Sequence, residues 1–414
     1  MNRREFIAMT SVGTTAALTG ASAAEAPQGP PLPGTQSAPL PDLGSHWTFF
    51  EKLAATTRPS MSFLNDNYTD INAWANEARS TVLSDFHYQP PACDPNPEVV
   101  EIVDCGTHIR ERVLINTTPL IRVPVYVLIP KGLKKPAPAM VALHDHGGFY
   151  FWGKEKLVDV QPEHPALTEF KHTYYGGRSL ADELARRGYV VIVSDMMHWG
   201  ERGLYLDADP ERIAKRTLDV TPTDIQEFNA RSWAHEELVS RTALAAGATW
   251  SGINMWDDIR VTDYFLTRPE VDANRVGCIG LSLGCVRSIF LGALHEAVRA
   301  SVSVCWMAEY SQMLRNNVRN GIGFTKLVPG LYASLDWPDL AGLHLPGHLM
   351  TINGLQDLLY PLKAAQDAVA KVERIYEKAG SRDHYEGVFF DGPHEFNSDM
   401  QEKAFAWLKG VLAK

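Results

Sequence analysis

The residues best suited to chemistry are Gly280-Leu281-Ser282-Leu283-Gly284, a serine set between two glycines where a strand would turn sharply into a helix. That is the pattern of a nucleophile elbow, whose glycines are small because the turn is strained and tightly packed. A serine hydroxyl is a poor nucleophile at neutral pH. It needs a base to take its proton, an acid to orient that base, and donors for an oxyanion. His394, in Asp391-Gly392-Pro393-His394 directly after the apolar run Val388-Phe389-Phe390, is the expected base; His384, before that run, is expected in solvent. The chain order nucleophile, acid, base places the acid between Ser282 and His394. Asp357, after the run Leu349 to Ile352, satisfies this order, with Asp391 and Glu309 as competitors. For the oxyanion, the Leu283 N–H is one donor. The loop His144-Asp145-His146-Gly147-Gly148-Phe149 offers a second at Gly148, or at Phe149 in the neighbouring register.

The same loop carries a rival chemistry, because His144 and His146 could ligate zinc or another divalent metal for hydrolysis. The His-x-His-x-Asp-His arrangement of metallo-β-lactamases is not completed, since Gly147, Gly148 and Phe149 follow. The serine reading requires no metal and no cofactor. His198-Trp199-Gly200-Glu201-Arg202 follows the run Tyr189 to Val193, at the strand end where α/β sheets bind ligands. Glu201 and Arg202 are therefore candidates for substrate binding, with an ion pair bracing the loop as the plainer role. Trp306, just after Ala300 to Cys305, is better placed than Trp152 or Trp199 to stack on a sugar ring. Packing of the core or of a lid is the plainer role for all three.

These residues must be held by a large, buried scaffold. The 414 residues are 45% hydrophobic and 21% charged, a globular composition, and the net charge of −10 argues against nucleic acid, which needs clustered Lys and Arg. Apolar runs at Met140 to Leu143, Tyr189 to Val193, Val276 to Gly280, Ala300 to Cys305, Leu349 to Ile352 and Val388 to Phe390 alternate with helical patterns. That is the signature of a mostly parallel sheet covered by helices on both faces. Ile121 to Ile129 reads as a strand whose Pro124 suggests an edge position. Residues 47–98 read as a helical extension packed on a catalytic domain over 99–414. Two long connections, about 203–252 and 309–345, are expected to contain helices that cap the site.

The N-terminus, Asn2-Arg3-Arg4-Glu5-Phe6-Ile7 followed by an uncharged stretch to Ala24, reads as a signal peptide over residues 1–23. Its paired arginines resemble the twin-arginine (Tat) export signal, which predicts the Tat translocase as a partner during export and a periplasmic or secreted product. Residues 24–46 are rich in proline and small residues and read as a flexible tether. No later segment has eighteen consecutive apolar residues, so no stable membrane insertion is expected. Of five cysteines, Cys93 and Cys105 could pair in an oxidising compartment.

Taken together these residues resemble bacterial α/β-hydrolases related to dienelactone hydrolases and acetyl xylan esterases. The likeness runs from about Val99 to Lys414. It is carried by His144 to Lys156 with its Phe-Trp-Gly-Lys-Glu-Lys end, by Trp256-Asp257-Asp258 through Arg268-Pro269-Glu270-Val271-Asp272, by the elbow, and by Pro329-Gly330-Leu331 and Asp336-Trp337-Pro338-Asp339-Leu340. The resemblance implies an α/β-hydrolase fold and a Ser282, Asp357, His394 triad that cleaves carboxylic esters without a cofactor. Its relatives often act on acetyl or methyl groups of plant polysaccharides. Dienelactone hydrolases proper use a cysteine nucleophile, where this chain has Ser282, so dienelactone is not the expected substrate. Three other functions share some of these residues: a prolyl-peptidase-like serine peptidase, the metal-dependent hydrolase of His144 and His146, and a catalytically inactive sugar-binding protein. The expected partner of the site is a small-molecule or oligosaccharide ester.

Overall fold

The computed structural model describes residues 41–412. The signal peptide and most of the tether expected from the sequence lie outside the described residues. Nine strands form one sheet: β1 (Glu98–Asp104), β2 (His108–Thr118), β3 (Ile121–Pro130), β4 (Ala137–Leu143), β5 (Val190–Ser194), β6 (Val271–Leu281), β7 (Val298–Val304), β8 (His348–Gly354) and β9 (Tyr385–Phe390). Their spatial order is β1-β2-β3-β5-β4-β6-β7-β8-β9. The six strands from β5 to β9 in that order run parallel, while β1, β2 and β3 extend the sheet antiparallel. Strand order reverses around β4, so the loops after β4 and β6 open side by side at the carboxyl ends.

Alternation along the strands sorts the core into two faces. Met140, Ala142, Val191, Val193, Ile279 and Leu281 pack under the helices Leu180–Arg186 and Ser398–Leu412. Their neighbours Val141, Val190, Ile192, Val276 and Cys278 pack under Trp250–Leu266 and Leu283–Leu294. Such two-sided burial is why these strands read as unbroken apolar runs.

Pro124 is not on an edge. β3 lies inside the sheet, between β2 and β5, with Pro124 opposite Leu114. The missing proline N–H is replaced from a side chain, because the Arg122 guanidinium donates to the Leu114 carbonyl at 2.9 Å. A ladder defect that would normally confine proline to an edge is thereby repaired from within the same strand.

The N-terminal extension contains helices Trp47–Thr56 and Ile71–Asp85. The second buries Trp74, Ala78 and Val82, spaced four apart on one face. Arg79 ties it to the body by donating to the carbonyls of Ala293 and Leu343 at 2.7 and 2.6 Å. The connection after β5 contains a 24-residue helix, Pro222–Ala245, opened by a capping box between Thr221 and Asp224. The connection after β7 is a series of short helical pieces from Tyr310 to Gly342. Among the described residues no helix is long and apolar enough to cross a membrane. Cys93 and Cys105 are both free thiols, not a disulfide.

Candidate active site

Ser282 stands between β6 and the helix Leu283–Leu294, with φ +58° and ψ −112°, a conformation that a non-glycine residue adopts only under constraint. The surrounding structure supplies that constraint. The Ser282 N–H donates to the Val304 carbonyl of β7 at 2.8 Å, and the Ser282 carbonyl accepts from Val286 at 3.1 Å to start the helix. The flanking glycines are a steric necessity. A Cβ at Gly284 would lie 2.1 Å from the Leu143 carbonyl oxygen, and one at Gly280 would lie 2.4 Å from the backbone of Gly284.

His394 and Asp357 meet across the loops after β9 and β8. Nδ1 of His394 lies 2.6 Å from Oδ2 of Asp357, and the other oxygen, Oδ1, accepts from the Leu359 N–H at 2.9 Å. This carboxylate is therefore oriented by the main chain and in turn orients the imidazole. A short bond between a charged acceptor and a ring N–H puts the proton on Nδ1 and leaves Nε2 as the free base. The competing acids do not take this place: Asp391 pairs with Gln356, and Glu309 accepts from Gln312. Cys305, at the end of β7, brings its thiol within 4.8 Å of the ligating atoms of Asp357 and His394. Burial pushes that thiol well above the usual range, so it is a neutral wall of the site.

Leu283 is the first residue of its helix, where N–H groups have no partner within the helix and the helix dipole is positive. Its amide suits an oxyanion. Gly148 does not fill the second donor position expected for it, because its N–H donates to Nδ1 of His146 at 3.0 Å. Phe149, the neighbouring register, is also engaged, donating to the His146 carbonyl at 3.3 Å. A ring nitrogen as acceptor for a loop amide was not foreseeable from the spacing of the glycines.

The metal-binding alternative loses its ligands for a related reason. Nδ1 of His144 bonds to the Asp145 carbonyl at 2.9 Å and Nε2 accepts from the Met196 N–H at 3.1 Å, so neither nitrogen has a lone pair to offer. Burial, with Arg287 and Lys156 nearby, drives its pKa well below the usual range. His146 is equally committed, with Nδ1 to Gly148 and Nε2 to Glu236 at 2.8 Å. Glu236, on the helix Pro222–Ala245, also accepts from the Tyr150 hydroxyl at 2.9 Å. Burial opposes its ionisation, but the bond and field of His146, the bond from Tyr150 and the field of His198 together outweigh burial and lower its pKa.

Glu201 and Arg202 are not available for substrate either. Lys154, fully buried, directs its ammonium at Glu155 (2.9 Å), Asp195 (2.7 Å) and Glu201. Arg216 pairs with Glu155 at 2.8 Å, and Arg112 pairs with Glu201. Three cations thus face three carboxylates. Burial would raise the Glu201 carboxyl, yet Lys154 and Arg112 hold it down to about 2. Arg202 is buried against Asp257 at 2.8 Å and donates to the Asp195 carbonyl. Both residues brace the loop after β5. The Phe-Trp-Gly-Lys-Glu-Lys string was the sequence signal for this cluster, since it supplies Lys154 and Glu155. Lys156 reaches back to hold the Asp145 and His146 carbonyls, each at 2.9 Å.

Trp306 lies at the end of β7, completely buried and packed against Trp337 in a tilted pair with ring centroids 4.3 Å apart. Its indole N–H has no partner. Sequence reasoning missed Lys326, in the connection after β7. Its ammonium donates to the Gly321 carbonyl at 2.9 Å and the Tyr360 hydroxyl at 3.0 Å, and the Tyr360 ring lies 6.0 Å from that of His394.

Comparison with known proteins agrees with this architecture. The chain is 23% identical over 315 residues, 76% of its length and 92% of the relative's, to YtaP of Bacillus subtilis (strain 168), a protein named as a hydrolase. Among solved structures it resembles one from Bacteroides fragilis NCTC 9343 named as an acetyl xylan esterase, with TM-score 0.64, 16% identity, and coverage of 89% of this chain and 95% of that one. It also resembles a glucuronoyl esterase from Solibacter usitatus, with TM-score 0.57, 17% identity, and coverage of 86% and 98%. A third, the methylesterase BT1017, gives TM-score 0.59 and 18% identity over 88% of this chain and 68% of that one. These structures share the fold. Residues 45–388 match the Abhydrolase family, and the chain belongs to that family of α/β-hydrolases.

Proposed function

We propose that the protein is a serine carboxylic-ester hydrolase, with Ser282 as nucleophile, His394 as base and Asp357 as the acid that orients it. The observation that carries this reading is the 2.6 Å bond from His394 to Asp357, made by loops after β8 and β9 at the same end of the parallel strands as the Ser282 elbow after β6. His394 Nε2 takes the hydroxyl proton as Oγ of Ser282 attacks the ester carbonyl. The tetrahedral oxyanion forms at the head of the helix Leu283–Leu294, where the Leu283 amide donates to it. His394 returns the proton to the leaving alkoxide, and the alcohol departs. A water deprotonated by the same imidazole then attacks the acyl-enzyme, releasing the acid and restoring Ser282.

Acetyl or methyl esters of plant-type carbohydrates are the substrate class this reading favours. Support comes from the names of the similar structures, acetyl xylan esterase, glucuronoyl esterase and methylesterase. The paired arginines at Arg3 and Arg4 support export by the Tat translocase to the periplasm or beyond, where such polymers are met. Ser282→Ala is expected to abolish both turnover of para-nitrophenyl acetate and labelling by a fluorophosphonate, with an unchanged circular dichroism spectrum. Activity retained in that variant, or lost to a chelator in the native chain, would refute the serine mechanism.

A further inference from the structure

Five lysines are buried in the described structure: Lys154, Lys156, Lys171, Lys326 and Lys371. Four of them face a carboxylate, at Glu155, Asp145, Glu163 and Asp339 respectively. Lys326 has none within ion-pairing distance. Its three N–H donors meet two neutral oxygens, Gly321 O and Tyr360 Oη, so a full positive charge is buried with one donor unassigned. Removing a cation from water without an anion is costly, and among the described residues no other buried lysine does so. The position is held firmly, since the Ser251 hydroxyl bonds to the carbonyls of Thr325 and Leu327 on either side of Lys326, at 2.8 and 3.0 Å.

Lys326 also lines a cavity of 430 Å³ whose wall includes Tyr310, Tyr332 and Trp337. Tyr310 packs against both other rings, at 4.9 Å from Tyr332 and 5.4 Å from Trp337, and Trp337 packs against Trp306 at the end of β7. Asp336 lines the cavity too, but its Oδ1 is taken by the amides of Tyr310 and Trp337. On its other side Lys326 reaches Tyr360, beside His394. Lys326 thus lines the aromatic-walled cavity and also bonds Tyr360, whose ring neighbours that of His394.

We propose that Lys326 recognises a free carboxylate carried by the ester substrate, with the ring that bears it packed on the aromatic wall of Tyr310, Tyr332 and Trp337. This rests on the serine-hydrolase reading above and narrows it to acidic esters, such as esterified fragments of acidic saccharides or half-esters of dicarboxylic acids. The carboxylate supplies the missing partner, and aromatic side chains suit the packing of a ring.

The test compares kcat/KM for two carboxylate esters with that for their own methyl esters. Para-nitrophenyl hemisuccinate carries the charge on the acyl side, and para-acetoxybenzoate carries it on the alcohol side. In the native enzyme one carboxylate ester is expected to exceed its methyl ester by roughly 30-fold, and the identity of that ester assigns the side. K326M is expected to bring this ratio near one. A native ratio near one, or an unchanged ratio in K326M, overturns the proposal. A second readout needs only the native enzyme. Burial pushes the Lys326 ammonium down to about 8, against the fields of Cys285, Asp357 and Glu236. Of these neighbours, Cys285 and Tyr360 are pushed well above their usual values, and Glu236 is lowered, so none of those three titrates near that pH. KM for the preferred carboxylate ester is therefore expected to rise toward tenfold per unit above about pH 8, while KM for its methyl ester stays level. Parallel profiles for the two esters overturn the proposal. Failure of the serine reading looks different, because then S282A would hydrolyse the methyl esters as fast as the native chain.

Discussion

Asp357→Asn is the substitution whose outcome the geometry specifies most closely. Oδ1 of Asp357 accepts from the Leu359 N–H at 2.9 Å, and Oδ2 faces Nδ1 of His394 at 2.6 Å. An asparagine has one oxygen and one NH2, and the Leu359 amide requires the oxygen. The NH2 group must then point at Nδ1, which becomes an acceptor, and the imidazole proton moves to Nε2. That is the tautomer that cannot take a proton from Ser282. In a serine triad this swap costs about 10⁴ in kcat with the geometry retained, or about 5.5 kcal/mol of transition-state stabilisation. The assay is kcat for para-nitrophenyl acetate, with active serine counted by fluorophosphonate and folding followed by thermal denaturation. A loss below about 30-fold in a folded variant would refute the argument, because it would mean that Asp357 does not set the tautomer of the catalytic base.

Other consequences can be checked independently. Gly284→Ala drives a Cβ to 2.1 Å from the Leu143 carbonyl, so it is expected to destabilise the fold by about 3 kcal/mol and to abolish serine labelling, measured by urea denaturation and fluorophosphonate. Glu236→Ala leaves the His146 ring N–H and the Tyr150 hydroxyl without their acceptor, at a cost of about 1–3 kcal/mol each; an unchanged melting midpoint would contradict the bonding described. Glu201 is held down to about 2 from an ordinary 4.5, so its stabilising contribution is complete above pH 4.5 and lost as pH falls toward 2. Glu201→Gln is expected to be less stable than the native chain at neutral pH, and the gap should close across that acid window when denaturation midpoints are compared.

The positions of the candidate triad were legible because each member follows an apolar strand at a position dictated by chain order. Ser282, Asp357 and His394 all lie at carboxyl ends of parallel strands, and burial on both sheet faces makes those strands conspicuous. What failed to show in the sequence was pairing between distant side chains. Nothing in the spacing of Gly147 and Gly148 reveals that a histidine ring two residues earlier captures the Gly148 amide. Glu201 and Arg202 lie at a ligand-binding position, yet their partners Lys154, Arg112 and Asp257 come from other elements. Pro124 misled in the same way, since its repair depends on a side chain turned back onto the neighbouring strand. Lys326 carried no signal at all, because an uncompensated charge is defined by what the fold fails to place beside it.

The long helix Pro222–Ala245 completes the hydrogen bonding of the loop after β4. Its Asn229 side chain accepts from the main-chain N–H groups of both Tyr150 and Phe151, at 2.8 and 3.1 Å, and its Glu236 holds His146. The loop after β4 therefore borrows its internal hydrogen bonds from an inserted segment some eighty residues away in the chain. Such an insertion is not a detachable accessory. Recombination or engineering that exchanged this helix alone would strand the polar groups of the loop after β4, so the two are expected to move between scaffolds only as one inherited module.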